Sequence, residues 1–422
     1  MKKKFLAVSM AVVVVLGMAL ATGCGQSGAP DAAASAAGEA GAAVSAAEEA
    51  GAAAEDAAVA EVNGLIEAIQ VQEWTETTEA DCAAAKAAYD ALSDEQKEML
   101  DDPDYFGLDT GDASADDPLN QDEIGENELL VVSFGTSFNE SRATDIGGVE
   151  KALAEAYPDW SVRRAFTAQI IINHVLARDG ESIDNVDQAL QRAIANGVKN
   201  LVIQPTHLMH GAEYDELTEA VAAVEDQFES VKIAEPLLGA VGADISEINA
   251  DKEAAAKAMV AEAAKVAGAD SIDALAEDGT AIVFMGHGTS HEASITYDQM
   301  STQMAELGYD NVFVGTVEGN PADTALPEVK KAVEEAGYTK VILRPMMVVA
   351  GDHANNDMAA DEEGSWYYGF VNGGAFEVEG ADEAVDIGAG FGADNVTTQI
   401  EGLGRIPAIE EIYVAHTGAV IE

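Results

Sequence analysis

Leu129-Leu130-Val131-Val132-Ser133-Phe134, running into Gly135-Thr136-Ser137, is a continuous apolar run closed by a glycine turn. A run of this kind, without polar alternation, fits a strand buried on both faces, as in a parallel sheet covered by helices. Val162 to Phe166, Leu201 to Gln204, Ile282 to Met285, Val312 to Val314, Val341 to Leu343 and Ile412 to Val414 are further runs, separated by helical stretches. That alternation predicts a doubly wound α/β architecture from Glu128 onward.

The opening stretch recurs. Val132-Ser133-Phe134-Gly135-Thr136-Ser137 matches Phe284-Met285-Gly286-His287-Gly288-Thr289-Ser290 when Gly135 is laid on Gly288, which sets Phe134 against His287. Ala165-Phe166-Thr167-Ala168-Gln169 then lies on Val314-Gly315-Thr316-Val317-Glu318, pairing Gln169 with Glu318. The third strands end in Gln204-Pro205 and Arg344-Pro345, each with a glycine six residues beyond the proline, so Glu213 pairs with His353. The chain therefore reads as two α/β halves related by duplication, residues 128–275 and 276–422, with a polar triad complete only in the second.

His287, Glu318 and His353 each fall shortly after a predicted strand. Loops at the carboxyl ends of parallel strands converge on one crevice, so the three side chains are expected to meet. Two imidazoles and a carboxylate suit a first-row divalent cation and leave coordination positions open for a substrate. The turn Gly286 to Gly288 would let a flat ligand approach the backbone closely.

Met285-Gly286-His287-Gly288-Thr289, Gly315-Thr316-Val317-Glu318-Gly319 and Gly351-Asp352-His353-Ala354-Asn355-Asn356-Asp357-Met358 resemble the anaerobic sirohydrochlorin cobaltochelatases of cobalamin synthesis, class II chelatases. Ser133-Phe134-Gly135-Thr136-Ser137, Ala165-Phe166-Thr167, Gln204-Pro205-Thr206-His207 and Gly211-Ala212-Glu213-Tyr214 agree as well, so the resemblance spans about residues 128 to 422. It implies metal binding by His287, Glu318 and His353, with His287 and Glu318 catalytic and His287 also taking pyrrole protons. It further implies a tetrapyrrole substrate, a divalent metal substrate (cobalt first, then iron or nickel) and no organic cofactor. The residue types suit that chemistry, because insertion removes two N–H protons and a near-neutral imidazole can accept one while a carboxylate neutralises the cation.

A polycarboxylate ring calls for a basic rim. Arg142, Arg163, Arg164 and Arg344 are the candidates, and Arg142, His207, Gly288 and Arg344 are assigned as tetrapyrrole contacts. His210, His291 and Asp352 are weaker candidates, while His174 and His416 read as structural. Phe370 to Gln399, rich in glycine and acid, reads as an insertion close to that rim.

Lys2-Lys3-Lys4, an apolar run from Phe5 to Ala21 and then Thr22-Gly23-Cys24 read as a bacterial lipoprotein signal, residues 1–24, with Cys24 lipidated and the protein held outside the cytoplasm on the cell membrane. Residues 25–60 are an Ala/Gly/Glu tether too poor in large apolar groups to fold. Residues 61–104 are a helical spacer module with Ser93 as a cap, resembling a module of Gram-positive surface proteins, and 105–127 are an acidic linker. Cys82 is left as a packed helix residue. The formal charge of −56, or −59 once the three lysines leave with the signal, argues against nucleic acid as a partner; a homo-oligomer is compatible with it. Because cobalamin synthesis is cytoplasmic, the alternative to an exported chelatase is an extracytoplasmic metal- or haem-binding lipoprotein that serves uptake without turnover.

Overall fold

The computed structural model describes residues 57–378 and 383–421. The signal segment, Cys24 and the tether up to residue 56 lie outside the described residues.

The six predicted strands from Leu129 to Leu343 are present. In the first half β1 (Asn127–Ser133), β2 (Ser161–Phe166), β3 (Asn200–Pro205) and β4 (Ser230–Ile233) form a parallel sheet in the order β2-β1-β3-β4. The second half repeats it with β5 (Thr280–Gly286), β6 (Val312–Thr316), β7 (Lys340–Pro345) and, after the hairpin β8 (Gly373–Phe376) and β9 (Val385–Ala389), β10 (Val396–Thr398), in the order β10-β7-β5-β6. Val132 lies opposite Pro205 and Met285 opposite Pro345, so the central registers of the two halves coincide. β1 and β5 are buried almost end to end, which accounts for their unbroken apolar sequence.

Three expectations are corrected. Ile412 to Val414 is not a strand but the middle of a helix, Pro407–Ile421. A three-residue apolar run is ambiguous by itself; the burial of Ile409, Ile412, Tyr413, His416 and Thr417 follows the helical period, and Pro407 suits a first turn. This last helix of the second half crosses to the first, where Tyr413 donates to the Thr206 carbonyl at 2.9 Å and Thr417 to Gln204 Oε1 at 2.7 Å. Nor is Phe370 to Gln399 wholly an insertion, because its end is β10, the counterpart of β4. Among the described residues the β8–β9 strand pair has no counterpart in the first half, and the buried Lys330 ties it down through the carbonyls of Ile387 (2.8 Å) and Ala389 (2.7 Å).

The helical module is also not a detached spacer. A helix over 57–69, which starts within the stretch read as tether, packs with helix Thr78–Asp90 and the short helices Asp94–Lys97 and Asp104–Gly107. Ser93 does cap its helix, with Ser93 and Gln96 exchanging hydrogen bonds. The module docks on helix Gln169–Asp179 of the first half: buried Cys82 donates to the Asn173 carbonyl at 3.4 Å, and Asn173 Nδ2 donates to the Ile69 carbonyl at 3.0 Å. His174 stacks on Tyr105 with ring centroids 4.1 Å apart, and burial lowers its pKa to about 4, consistent with a structural residue.

Candidate functional site

His287 follows β5 directly. Gly288, with φ +97°, makes the turn; an added Cβ there would stand 2.9 Å from the Glu318 Cβ, so only glycine lets the two loops close. Backbone hydrogen bonds from Val317 N to the Gly286 carbonyl (2.9 Å) and from Glu318 N to the His287 carbonyl (3.0 Å) extend the β5–β6 ladder past its end. That extension sets Glu318 beside His287, with Oε1 3.4 Å from Nδ1. His353, past β7, brings its ring edge-on to that of His287, centroids 4.5 Å apart at 80°. The three residues inferred from the duplication are thus together, and each is partly open to solvent.

Both imidazoles are oriented by an oxygen at Nδ1: the Gly288 carbonyl at 3.0 Å for His287 and Asp357 Oδ2 at 2.7 Å for His353. With the proton on Nδ1, each Nε2 is left with its lone pair free, the arrangement found in metal-ligating histidines. The Asp357 hydrogen bond raises the pKa of His353 despite burial, which works the other way. Asp357 was not among the residues inferred from sequence; its signal is the spacing of four from His353 on a helical turn. Asp352, His353 and Asp357 form a second grouping, with candidate ligand atoms within 4.8 Å of one another.

The first-half counterparts differ from the sequence pairing at one point. Ala168 N donates to the Phe134 carbonyl as Glu318 N does to that of His287, so Ala168, not Gln169, is the equivalent of Glu318. Gln169 is one residue further on and turned inward, bonded to Asn173 and Asn185 at 2.8 Å each. Phe134, 45% exposed, takes the place of His287. Glu213 lies near His207, with 3.3 Å between Oε2 and Nε2.

The triad, Phe134, His207 and Glu213 border one cleft of about 480 Å³ between the halves. Its walls are largely apolar, with Ile171, Leu208, Met209, Met346 and Val349 beside Phe134; Gly288 lines it as inferred. Among the described residues no lysine or arginine does. The expected basic rim does not form, because all four arginines are consumed inside the fold. Arg142 pairs with Asp116 at 2.7 Å and Glu181 at 3.1 Å, and Arg344 with Gln399 at 2.7 Å and Glu401 at 3.1 Å. Arg163 pairs with Asp184 at 2.8 Å, and Arg164 with Glu150 and Asp116. Each guanidinium is essentially solvent-free, so it needs those acids to be buried at all. Among the other candidates, Asp352 borders the cleft, but His210 is paired with Glu235 at 2.7 Å and stacked on Tyr214. His291 reaches across to Asp215 of the first half at 3.4 Å. His416, read as structural, sits against the Glu235 carbonyl at 3.1 Å.

Fold and site together define a duplicated α/β protein whose interdomain cleft is apolar and carries an imidazole–carboxylate–imidazole set on one wall. The cobalt chelatase (CbiK) family profile matches residues 127–422, and the chain belongs to that family. It is 33% identical over 288 residues to the sirohydrochlorin cobaltochelatase of Salmonella typhimurium, covering 68% of this chain and 94% of that one. It is 30% identical over 241 residues to the sirohydrochlorin cobaltochelatase CbiKC of Nitratidesulfovibrio vulgaris, covering 56% and 77%. SirB from Bacillus subtilis with Fe3+ is a more distant likeness in structure, with a TM-score of 0.44 and 12% identity over 70% of this chain and 95% of that one, too remote to bear on function.

Proposed function

We propose that this protein is a metal chelatase that inserts a divalent cation, cobalt first, into a sirohydrochlorin-like tetrapyrrole. The observation that carries the proposal is the convergence of His287, Glu318 and His353 on an apolar cleft with both Nδ1 atoms tied back. That both relatives are sirohydrochlorin cobaltochelatases supports it. In the reaction M2+ enters the ring and two pyrrole protons leave. The Nε2 atoms and the Glu318 carboxylate hold the cation at the cleft wall, with the carboxylate offsetting part of its charge. The flat ring lies against Phe134 and the aliphatic walls, and its carboxylates stay in water, since no lysine or arginine among the described residues lines the cleft.

Turnover is tested by incubating the full chain with sirohydrochlorin and Co(II) and following the ring absorbance. Metallation in the wild type, and its loss in His287→Ala and Glu318→Ala, are expected. Tight binding of cobalt or ring without turnover would instead favour the carrier reading. Lipidation of Cys24 and residence outside the cytoplasm form part of the same proposal, supported by the basic, apolar and Gly-Cys succession of residues 2–24.

A further inference from the structure

The helical module precedes the duplicated halves and contributes no ligand to the triad, yet it docks at the cleft. Helix Gln169–Asp179 starts past the carboxyl end of β2, the edge on which the cleft opens, and its first turn borders the cleft through Ile171. The module holds the start of this same helix. Gln72 Oε1 accepts from Ile170 N at 3.4 Å, a donor that the helix itself leaves free. In return, Asn173 Nδ2 donates to the carbonyls of Ile69 at 3.0 Å and Val71 at 3.5 Å, at the end of the helix over 57–69. Each helix thus caps the other.

The loop that follows, residues 70–77, is pinned at its far end as well. Thr78, 7% exposed, accepts from Thr75 N through Oγ1 at 2.9 Å and donates its own N–H to the Thr75 carbonyl at 3.1 Å. Although bound at both ends, the loop leaves Val71 42% and Trp74 43% exposed, and Phe134 in the adjoining cleft is 45% exposed. Single exposed apolar side chains need no explanation, but three together at one edge of an apolar cleft, two of them aromatic, mark a surface that a ligand covers.

We propose that the loop of residues 70–77 belongs to the ring-binding surface, with Val71 and Trp74 carrying the apolar wall of Phe134 and Ile171 outward and packing on the part of the tetrapyrrole that projects from the cleft. This rests on the chelatase reading above. The occupant is the substrate ring because the loop joins the cleft wall through Ile170 and Ile171, and because no lysine or arginine among the described residues lines that cleft. Contact with apolar and aromatic side chains is then the means of holding a large flat ring. Glu73 and Glu76, both exposed, flank Trp74 and repel carboxylates, so the ring meets the loop by its carbon surface and its acids point to water. The module thereby gives this chain a ring contact that the two halves alone do not supply.

The test uses the full chain and metal-free sirohydrochlorin, whose fluorescence reports binding, followed by metallation at saturating Co(II). Trp74→Ala should weaken ring binding about tenfold, raising Kd and KM together while kcat changes by less than about twofold. Val71→Ser should give a smaller loss in the same direction, and Trp74→Phe should recover most of the affinity. Val266→Ser is the control, being 42% exposed at the end of helix Ala250–Val266, and should bind the ring as the wild type does. Calorimetric titration of Co(II) alone should give wild-type affinity in every variant, since none alters the triad. A wild-type ring Kd in both Trp74→Ala and Val71→Ser would overturn the inference while leaving the chelatase reading intact; if the wild type also self-associates and Trp74→Ala does not, the surface belongs to a second copy of the chain. A wild type that binds the ring but never metallates it would remove the chelatase reading, and the comparison of Kd values would still decide the role of the loop.

Discussion

Replacing Asp116 with Ala should unfold the α/β domain more readily, although Asp116 lies in a stretch that reads from sequence as a linker. Its carboxylate, 2% exposed, binds Arg142 at 2.7 Å and Arg164 at 2.6 and 2.8 Å. Both guanidiniums are buried; after the substitution Arg164 keeps Glu150, and Arg142 keeps Glu181 and the Thr136 carbonyl. Removing one member of a buried charge network costs about 3–5 kcal/mol, because the remaining charges are left under-compensated. Set against a total stability of roughly 5–15 kcal/mol, that is a large fraction. With an m-value of about 3 kcal/mol/M, the urea midpoint should fall by about 1–2 M at unchanged slope. Glu155→Ala is the control: its pair with Lys151 is 3.9 Å long and exposed, and should contribute less than about 1 kcal/mol. Burial alone would raise the Asp116 pKa, but Arg164 and Arg142 outweigh it and hold the carboxyl below its usual value. The contribution is therefore complete above the unfolded pKa of about 4 and is lost as pH falls through the lower folded value, so the gap between wild type and variant should close in acid. A midpoint shift no larger than that of Glu155→Ala would refute this account. By the same reasoning, deleting residues 25–56 should be tolerated, whereas deleting 25–127 should not.

Asp357→Asn, which removes the charge holding His353 Nδ1, should weaken cobalt affinity about 10- to 100-fold without unfolding the protein, as calorimetry would show. Because the folded pKa of His353 is raised, proton competition for cobalt should set in at a higher pH than for an ordinary histidine, so affinity should fall as pH drops through neutrality. The same Asp357→Asn substitution should shift that onset downward. Gly288→Ala places a Cβ against Glu318 at a backbone angle that L residues avoid, and should reduce cobalt affinity while a first-half variant such as Phe134→Leu does not. Cys24→Ala should move the protein from the membrane fraction to the soluble one after fractionation; unchanged sedimentation of the processed variant would count against lipidation.

What was legible in the sequence was what depends on local pattern and on repetition. Runs such as Leu129 to Phe134 and Ile282 to Met285 announce buried parallel strands because burial on both faces removes polar alternation. Since parallel strands send their carboxyl-terminal loops to one edge, the duplication was enough to bring His287, Glu318 and His353 together. What only the tertiary structure decided depends on partners remote along the chain. Val162-Arg163-Arg164 reads as a basic surface until Asp184, Glu150 and Asp116 are seen to enclose it, and nothing local to Arg142 or Arg344 announces their acids. Short segments such as Ile412 to Val414 and Val396 to Thr398 take helix or strand form from what they pack against. The pairing of Ala168 with Glu318 needed the ladder itself, because one residue of slip exchanges an inward side chain for an outward one. That Glu213 and His207 share a cleft with His287, Glu318 and His353 is settled only once the two halves have closed on each other, because no interval in the sequence measures a distance between two sheets.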